Sequence, residues 1–381
     1  MLVTKGYEVR IYPNAEQQLL IDKTIGCYRF VYNQTLVEAK KAYDDIGYFS
    51  NPNVRINRLV SLKNEFPWLK EVDASALQQA IRDFNKAMDN HFKNPKHFSF
   101  PKFKTKHSAK QSYRSPYNSG KADIHDIQHI KLPKVGLIAT KPMIYLPEEY
   151  KLLNITITKT KTNKYYAKLC IQTEVTELPK TNKVTGFDLG LTDLLISADG
   201  TKIKPPKFNK NSSKELTRAQ RKLSKMRIKL EKANIELNEA KNYQKQKRKV
   251  AKIYEHIANQ RKDFNHKLSW KLVNEYDLLA FEDLNIKGML KNHKLAYSIS
   301  DVSWSQLLNF IQYKCLWYGK QFVQVPRFYA SSKTCSVCGC YHKDIVNSLV
   351  VRDWVCPDCG THHDRDINAA TNILNYALSV A

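Results

Sequence analysis

Apolar residues recur along the chain in two patterns, alternation with polar residues and a 3-4 spacing. Alternation predicts strands, and the 3-4 spacing predicts helices. Alternation at residues 6–12 predicts a strand, which Pro13 ends. The N-x-x-Q pattern of Asn14 and Gln17 is typical of a capping box, and apolar positions on one helical face continue to about Ala42. The chain therefore opens with a strand followed by a long helix.

The remainder of the first 180 residues follows the same two patterns. Helices are predicted at 57–63 and 74–94, and a hairpin of strands at 155–159 and 164–173. Residues 95–134 are rich in Lys, Ser, His and Pro with little periodicity, which indicates an irregular basic surface. This region therefore predicts a β-unit interrupted by a helical insert.

The clearest periodicity lies between residues 206 and 288, where neither Gly nor Pro occurs. Apolar residues at 3-4 spacing predict two long antiparallel helices within 213–275, joined near 242–247. An intermolecular coiled coil is the alternative. The outward faces carry many Lys and Arg residues and few acidic ones, which favours contact with nucleic acid.

Shorter elements complete the second half. Strands are predicted at 184–188, 194–198, 201–204, 278–281 and 321–325, and helices at 303–318 and 367–377. Ser303 and Gln306 match a capping box at the start of the first of these helices.

Charge and missing motifs narrow the class of protein. Lys+Arg 62 against Asp+Glu 36 gives a net charge of +26, which favours a polyanionic partner. No apolar run reaches the roughly 18 residues that a membrane span needs, and no apolar leader follows the N-terminus. GxxxxGK[ST] and GxGxxG loops are absent, which argues against P-loop ATPases and dinucleotide enzymes. We expect a cytoplasmic, nucleoid-associated protein without membrane contact.

Five of the eight cysteines lie within 25 residues, and four of them form two C-x-x-C pairs seventeen residues apart. Two such pairs at this spacing can close a tetrahedron of thiolates around one structural zinc ion. The predicted ligands are Cys335, Cys338, Cys356 and Cys359. Cys340 is surplus, and His362 or His363 can offer a substitute ligand.

Four carboxylates stand at the ends of predicted elements. Asp188 and Glu282 end strands, whereas Asp364 and Asp366 open the last helix. Taken singly, each fits an ordinary strand end or helix cap. Taken together, acids from two strands and a helix can hold two Mg²⁺ ions about 3.5–4 Å apart for phosphodiester hydrolysis.

The order of these motifs resembles the TnpB (OrfB) proteins of bacterial and archaeal insertion sequences, which are compact relatives of type V CRISPR effectors. The resemblance runs almost from end to end, through YPNAEQQLL, RFVYNQTL, FPKFKTK, LPKVG, GFDLGL, RKDFNHKLS, FEDLNIKGM, SSKTCSVCG and HDRDINAATNI.

The resemblance implies an α+β multidomain fold. Its parts are a wedge-type β-barrel at 1–13 and 95–180, a helical recognition insert at 14–94, a RuvC-type RNase H-like nuclease domain at 181–330 and 364–381 that includes the helical hairpin, and an inserted zinc ribbon at 331–363.

The implied activity is RNA-guided cleavage of DNA by a transposable-element endonuclease. A guide RNA pairs with one strand of the target double-stranded DNA, next to a short target-adjacent motif. The catalytic and Mg²⁺-binding triad falls on Asp188, Glu282 and Asp366. Asp364 is expected to cap the helix or to support the metal ligands from behind, and whether it shares the role of Asp366 is open. Further residues of the matching motifs are expected in nucleic-acid or structural roles, namely Arg261, Lys262, Lys267 and Arg365.

Two other functions remain open at this point. One is a guide-RNA-dependent DNA-binding regulator without cleavage, although no acidic position of the triad is missing. The other is a transposase that performs strand transfer. A tyrosine-type enzyme would need a His-hydrophobic-His pair, which is absent, but a DDE enzyme would use a similar acidic set. The oligomeric state is also open.

Overall fold

The structure is a computed structural model that describes residues 1–47, 49, 51–107, 111–117, 120–342 and 351–380. Its contacts divide the chain into two units, residues 2–174 and residues 175–381 together with Met1. We call these the N-terminal unit and the C-terminal unit. Among the described helices, none is both long and apolar enough to cross a membrane.

The N-terminal unit combines two antiparallel sheets with a group of helices. In chain order its elements are β1 (Leu2–Ile11), α1 (Ala15–Ile46), α2 (Pro52–Glu65), a 3₁₀ turn (Pro67–Glu71), α3 (Ala74–Lys93), β2 (Gln111–Pro116), β3 (Asp123–Asp126), β4 (His129–Leu132), β5 (Gly136–Ala139), β6 (Lys151–Lys159) and β7 (Tyr165–Glu174). The sheet orders are β1-β7-β6-β2 and β3-β4-β5. A bridge between Ile11 and Thr140 connects β1 to the end of β5.

The predicted first strand and first helix are confirmed. In β1, Val9 and Ile11 enter the core while Glu8 stays exposed, and the strand begins earlier than its alternation indicates. Helix α1 begins with the predicted capping box. The Asn14 side chain accepts a hydrogen bond from the Gln17 amide (2.9 Å), and the Gln17 side chain accepts one from the Asn14 amide (3.0 Å).

The predicted irregular surface at residues 95–134 is wrong in part, because that segment contains β2, β3 and β4. Its residues 108–110 and 118–119 lie outside the described part of the chain. The strands are only four to six residues long and rich in polar side chains, so local periodicity does not reveal them. Long-range pairing stabilises β2, since Tyr113 lies opposite Ile157 of β6.

The C-terminal unit is built on a mixed sheet of order β10-β9-β8-β11-β12. In chain order its elements are β8 (Val184–Asp188), β9 (Leu195–Ser197), β10 (Lys202–Ile203), α4 (Phe208–Lys232), α5 (Lys241–Glu275), β11 (Leu278–Glu282), α6 (Ile286–Met289), α7 (Ala296–Val302), α8 (Trp304–Tyr318), β12 (Gln321–Val325), β13 (Asp353–Val355), β14 (His362–Asp364) and α9 (Arg365–Val380). Strand β11 is parallel to both β8 and β12, and β9 is antiparallel to β8. Phe187 and Phe281 are register partners whose rings stack at 5.1 Å.

The predicted helical hairpin is confirmed as α4 and α5, but its connection lies at residues 233–240 rather than 242–247. Apolar residues continue at helical spacing through this connection, which explains the error. The seam is closed within the chain, since Ala219 packs with Val250, Ile253 and Ile257. An intermolecular coiled coil is therefore not needed to bury it.

The predicted capping box at the start of α8 is wrong. Ser303 has a left-handed backbone (φ 52°) and makes no side-chain cap hydrogen bond. Its hydroxyl and the Gln306 side chain instead accept hydrogen bonds from the Asn265 amide group at 2.9 and 3.0 Å. A tertiary contact with α5 has replaced the local one.

Gly186 of β8 lies directly against α9. A Cβ atom there would be 2.4 Å from the Ala370 carbonyl oxygen and 2.5 Å from the Leu374 nitrogen. We predict that Gly186→Ala destabilises the C-terminal unit by about 3 kcal/mol, because backbone cannot move aside as a flexible side chain does. Urea unfolding followed by circular dichroism measures this loss.

The matched control is Gly6→Ala in β1, where an added Cβ would meet nothing within 4 Å. Unchanged stability of Gly186→Ala, or an equal loss in both variants, would contradict this close approach of strand and helix.

Candidate active site and metal centre

Three predicted acids lie around one edge of the mixed sheet. Asp188 and Glu282 are the last residues of the parallel neighbours β8 and β11, so both stand at the carboxyl edge. Asp366 is in the first turn of α9, which packs against β8. The fold therefore brings together two strand ends and a helix start that are far apart in sequence.

The carboxylates influence one another electrostatically. Burial, then the negative charges of Glu282 and Asp366, raise the pKa of Asp188 to about 7, against the opposing effects of Arg365 and the Leu189 amide. Burial also raises the pKa of Glu282, although a hydrogen bond from Ser331 opposes this. Repulsion of this kind between neighbouring carboxylates is typical of a cation-binding site.

Both oxygens of Asp366 are bound by guanidinium groups. Arg365 donates to Oδ1 at 2.8 Å, and Arg352 donates to Oδ2. Within the described part of the chain, the three carboxylates do not offer ligand atoms that all lie within 4.8 Å of one another. A set of ligands that are all oxygen atoms nevertheless suits Mg²⁺. The positive charge of a bound cation would lower the pKa of Asp188.

Asp364 has a structural role. Its Oδ1 accepts hydrogen bonds from the amides of Asp366 (2.9 Å) and Ile367 (3.1 Å), and its Oδ2 pairs with Lys202 at 2.7 Å. These contacts are those of a helix cap. The Asp364 carboxylate is thus committed to holding the start of α9.

The four predicted zinc ligands converge. Their sulfur atoms all lie within 4.8 Å of one another, with 3.7 Å between Cys335 and Cys359 and 3.6 Å between Cys338 and Cys356. A tetrahedron with Zn–S bonds of about 2.3 Å places its sulfurs about 3.8 Å apart, so the group fits one zinc ion. With four protein ligands the site would be closed, which suits a structural ion.

Histidines lie beside the sulfurs rather than replacing them. His363 Nε2 is 3.1 Å from the Cys335 sulfur, and His342 Nε2 is 3.3 Å from the Cys356 sulfur. His362 is exposed on β14. The sequence analysis missed His342 because it lies outside the C-x-x-C spacing. Residues 343–350 of the predicted ribbon lie outside the described residues.

Helix α9 also holds the segment that leads into the first cysteine pair. The Asn368 side chain donates to the Thr334 carbonyl at 2.8 Å and accepts from the Ser336 amide at 2.9 Å. Asn372 donates to the carbonyls of Ser331 (2.8 Å) and Thr334 (2.7 Å). Ser331 in turn donates to Glu282 Oε1 at 2.7 Å, so the cysteine region and the acidic cluster share their supports.

Arg352 is a site residue that the sequence analysis missed. It precedes β13, and its backbone carbonyl accepts a hydrogen bond from the Arg365 amide at 2.7 Å. Neither a motif nor a spacing singled it out, because a lone arginine in a basic chain carries no local signal.

The basic residues predicted to contact nucleic acid fall into two groups. Arg261 pairs with the buried Asp301 at 3.1 Å, and Arg365 is buried against Asp366. Lys267 is exposed and pairs with Asp263, while Lys262 is half-buried on the same helix. For all four, contact with nucleic acid stays a prediction.

A mixed sheet with an acidic cluster at its edge and a supported four-cysteine group defines a protein with two candidate metal sites, one suited to zinc and one to a divalent cation such as Mg²⁺. Three family models match successive parts of the chain: the OrfB "Helix-turn-helix domain" at residues 1–46, the OrfB "Probable transposase" at 168–293, and the "Cas12f1-like, TNB domain" at 304–373.

Full-length relatives agree with these matches. A Streptomyces pristinaespiralis protein named "Putative RNA-guided DNA endonuclease" is 33% identical over 389 residues, covering 100% of this chain and 90% of its own length. "Putative RNA-guided DNA endonuclease InsQ" of Escherichia coli K12 is 29% identical over 388 residues, covering 97% of this chain and 91% of its own length. The chain therefore belongs to the TnpB (OrfB) family of insertion-sequence proteins, as the sequence motifs predicted.

A solved structure shares the fold. The protein in "Cryo-EM structure of the Cas12f1-sgRNA-target DNA complex" aligns with a TM-score of 0.59 at 14% identity, covering 98% of this chain and 99% of that one. This likeness confirms the α+β fold class.

We predict one zinc ion per chain, with a lower zinc content in Cys335→Ser and in Cys356→Ser because each variant removes one of the four thiolates. Elemental analysis of the purified protein measures the zinc content. Cys340→Ser is the matched control and should keep its zinc. A zinc content equal to that of the wild type in both ligand variants would contradict the assignment of the four sulfurs as the site.

We predict that Asp188→Asn stabilises the metal-free protein at pH 8. The pKa of Asp188 is about 7 in the folded chain, above the roughly 3.9 of an unfolded aspartate. The folded state thus binds the extra proton, and stability falls as pH rises from 4 through 7. The resulting loss in the free energy of unfolding is at most about 4 kcal/mol, and asparagine, which does not ionise, avoids it. The stability gained by Asp188→Asn should therefore become smaller as the pH falls towards 4.

Thermal unfolding from pH 4 to pH 8 without added Mg²⁺ tests this prediction. Asp263→Asn, which removes an exposed carboxylate from the same unit, should change stability little. A gain that does not depend on pH would mean that Asp188 is not an acid with a raised pKa.

Proposed function

We propose that this chain is an RNA-guided DNA endonuclease of a transposable element, which hydrolyses guide-matched DNA next to a short target-adjacent motif. The observation that carries the proposal is the acidic cluster, in which Glu282 and Asp366 help raise the pKa of Asp188. Such a cluster destabilises the metal-free fold, so its presence in a chain of net charge +26 calls for a function. The names of the two full-length relatives support the same activity.

In this proposal Asp188, Glu282 and Asp366 hold two Mg²⁺ ions. A bound pair of such ions supplies charge stabilisation for the attacking and leaving oxygens of an in-line displacement. Asp188 binds as the carboxylate, so loss of its proton accompanies metal binding. Ser331 donates to Oε1 of Glu282 at 2.7 Å and so fixes the carboxylate that would hold a metal ion.

Asp366 has to release a guanidinium before it can bind a metal ion. The Arg352 side chain is 52% exposed, whereas that of Arg365 is 11% exposed. The exposed arginine is less costly to move, so Arg352 is the group that leaves Oδ2. Its freed charge then lies at the edge of the acidic cluster, where a DNA phosphate has to approach.

We assign a guide RNA and target double-stranded DNA as the partners. We also keep the domains proposed from the sequence, which are a wedge-type barrel, a recognition insert, a RuvC-type nuclease domain and a zinc ribbon. The strand path β2-β6-β7-β1, continued through the Ile11–Thr140 bridge to β5, supports a wedge-type barrel. Helices α1 to α3 support the recognition insert. The parallel set β8, β11 and β12 with α9 supports a RuvC-type nuclease domain, and the β13–β14 pair supports the ribbon.

We predict that Asp188→Asn and Glu282→Gln each lower cleavage of matched DNA by at least about a hundredfold while keeping the bound RNA, since both remove a metal-binding charge from the reaction centre alone. The protein is purified from cells that also carry the flanking element DNA. The bound RNA is sequenced, and Mg²⁺-dependent cleavage of a matching duplex is measured.

Asp364→Asn is the matched control. It should keep cleavage and change stability little, because the asparagine side-chain oxygen can accept the same helix-cap hydrogen bonds. A specific RNA with no cleavage under any divalent metal would favour the regulator, and absence of a specific RNA would favour the transposase.

A further inference from the structure

The N-terminal unit carries an exposed aromatic strip that the proposed cleavage chemistry does not use. It centres on residues 98–105, which follow α3. Four of its rings are largely exposed: Tyr43 (49%), Phe92 (58%), Phe98 (41%) and Phe103 (51%). Exposed rings that lie side by side mark a surface that a partner covers.

The rings form a platform beside a cavity. Tyr43 stacks on Phe49 at 4.7 Å between ring centroids, and Phe49 lies 5.6 Å from Phe92. The cavity has a volume of about 400 Å³, which is enough to admit a planar base. Its lining residues are Lys40, Tyr43, Asp44, Phe49, Phe92 and Phe100.

The backbone of the strip is fixed by polar contacts that leave its rings free to face outward. The Asn33 side chain donates to the Lys104 carbonyl (3.0 Å) and accepts from the Lys104 amide (2.8 Å). Gln111 donates to the Thr105 carbonyl at 3.1 Å. Because these bonds hold the segment, Phe103 is presented at the surface without being needed in the core.

Positive charge lies between the rings. The Lys40 ammonium is 5.8 Å from the ring of Phe100 and 5.7 Å from that of Phe103. A second cavity of about 380 Å³ is lined by Phe103, Lys104 and Arg29 among others. Rings that accept bases, alternating with cations that accept phosphates, are what single-stranded nucleic acid requires.

We propose that this strip binds unpaired nucleotides of the guide RNA, with a base stacked on Phe103, a second on the platform of Tyr43, Phe49 and Phe92, and a phosphate at Lys40. The choice of guide RNA rests on the proposed function. In that function the guide RNA is bound continuously and would keep these rings covered, whereas a displaced DNA strand is present only during a target encounter.

The test uses the full chain freed of nucleic acid, without Mg²⁺, and measures the fluorescence anisotropy of a labelled 12-mer of uridine. Phe103→Leu should weaken binding about tenfold, because leucine keeps apolar area but cannot stack. Lys40→Gln should lower the slope of log Kd against log salt by about 0.7, the share of one phosphate. The control is Tyr145→Leu, which alters a ring that is 82% exposed elsewhere in the same unit and should bind as the wild type does.

Two further oligomers separate stacking from charge and RNA from DNA. A 12-mer of abasic sites should bind the wild type more weakly than uridine binds Phe103→Leu, because the abasic oligomer also loses stacking on the platform of Tyr43, Phe49 and Phe92. Equal affinity of the abasic and uridine oligomers, or of wild type and Phe103→Leu, overturns the stacking site. Tighter binding of a thymidine 12-mer overturns the RNA assignment. Circular dichroism checks folding, and Phe92→Leu should repeat the loss if Phe103→Leu is misfolded.

Failure of this proposal is distinguishable from failure of the proposed function. Cleavage by the guided complex together with no effect of Phe103→Leu and Phe92→Leu overturns the strip alone. If the oligomers bind as predicted but the protein never cleaves DNA, the nucleotide-binding strip is supported and the proposed nuclease activity is overturned.

Discussion

The close approach of α9 to β8 is the contact on which the candidate site depends. At Gly186 the backbone of α9 occupies the space that a side chain would fill. The first turn of the same helix carries Asp366 to the sheet edge where Asp188 lies, and its next turns carry Asn368 and Asn372 to the segment before the cysteines. Helix α9 therefore holds Asp366 at the edge of the sheet and also supports the segment before the first cysteine pair.

The acids gathered by this contact repel one another, and the protein offsets the repulsion with neighbouring donors. Arg365 and Arg352 bind the two oxygens of Asp366, and Ser331 donates to Glu282. The pKa of Asp188 is nevertheless raised to about 7, although the charge of Arg365 opposes this rise. The arrangement keeps unfavourable charge at a point where a bound cation would be stabilising, so the metal-free fold is less stable than it would be without these acids.

The cysteine group is joined to the acids through the chain on both sides of it. Ser331 precedes the first cysteine pair and contacts Glu282, while Arg352 precedes the second pair and contacts Asp366. A closed four-thiolate site leaves no position for substrate, so zinc would act on the reaction only through these two residues. A bound zinc ion would thus contribute by fixing the positions of Ser331 and Arg352.

Local patterns in the sequence were enough to predict the capping box of α1, the strands β8 and β11, the helical seam and the pairing of the cysteines. Motif order determined the family. Tertiary structure alone decided the rest. Strands β2 to β4 exist through long-range pairing, Ser303 contacts Asn265 instead of capping α8, and Arg352 meets Asp366 only once the ribbon is in place. Side-chain periodicity reports which face of an element is buried, whereas the partner of a polar group depends on what the folded chain brings within hydrogen-bonding distance.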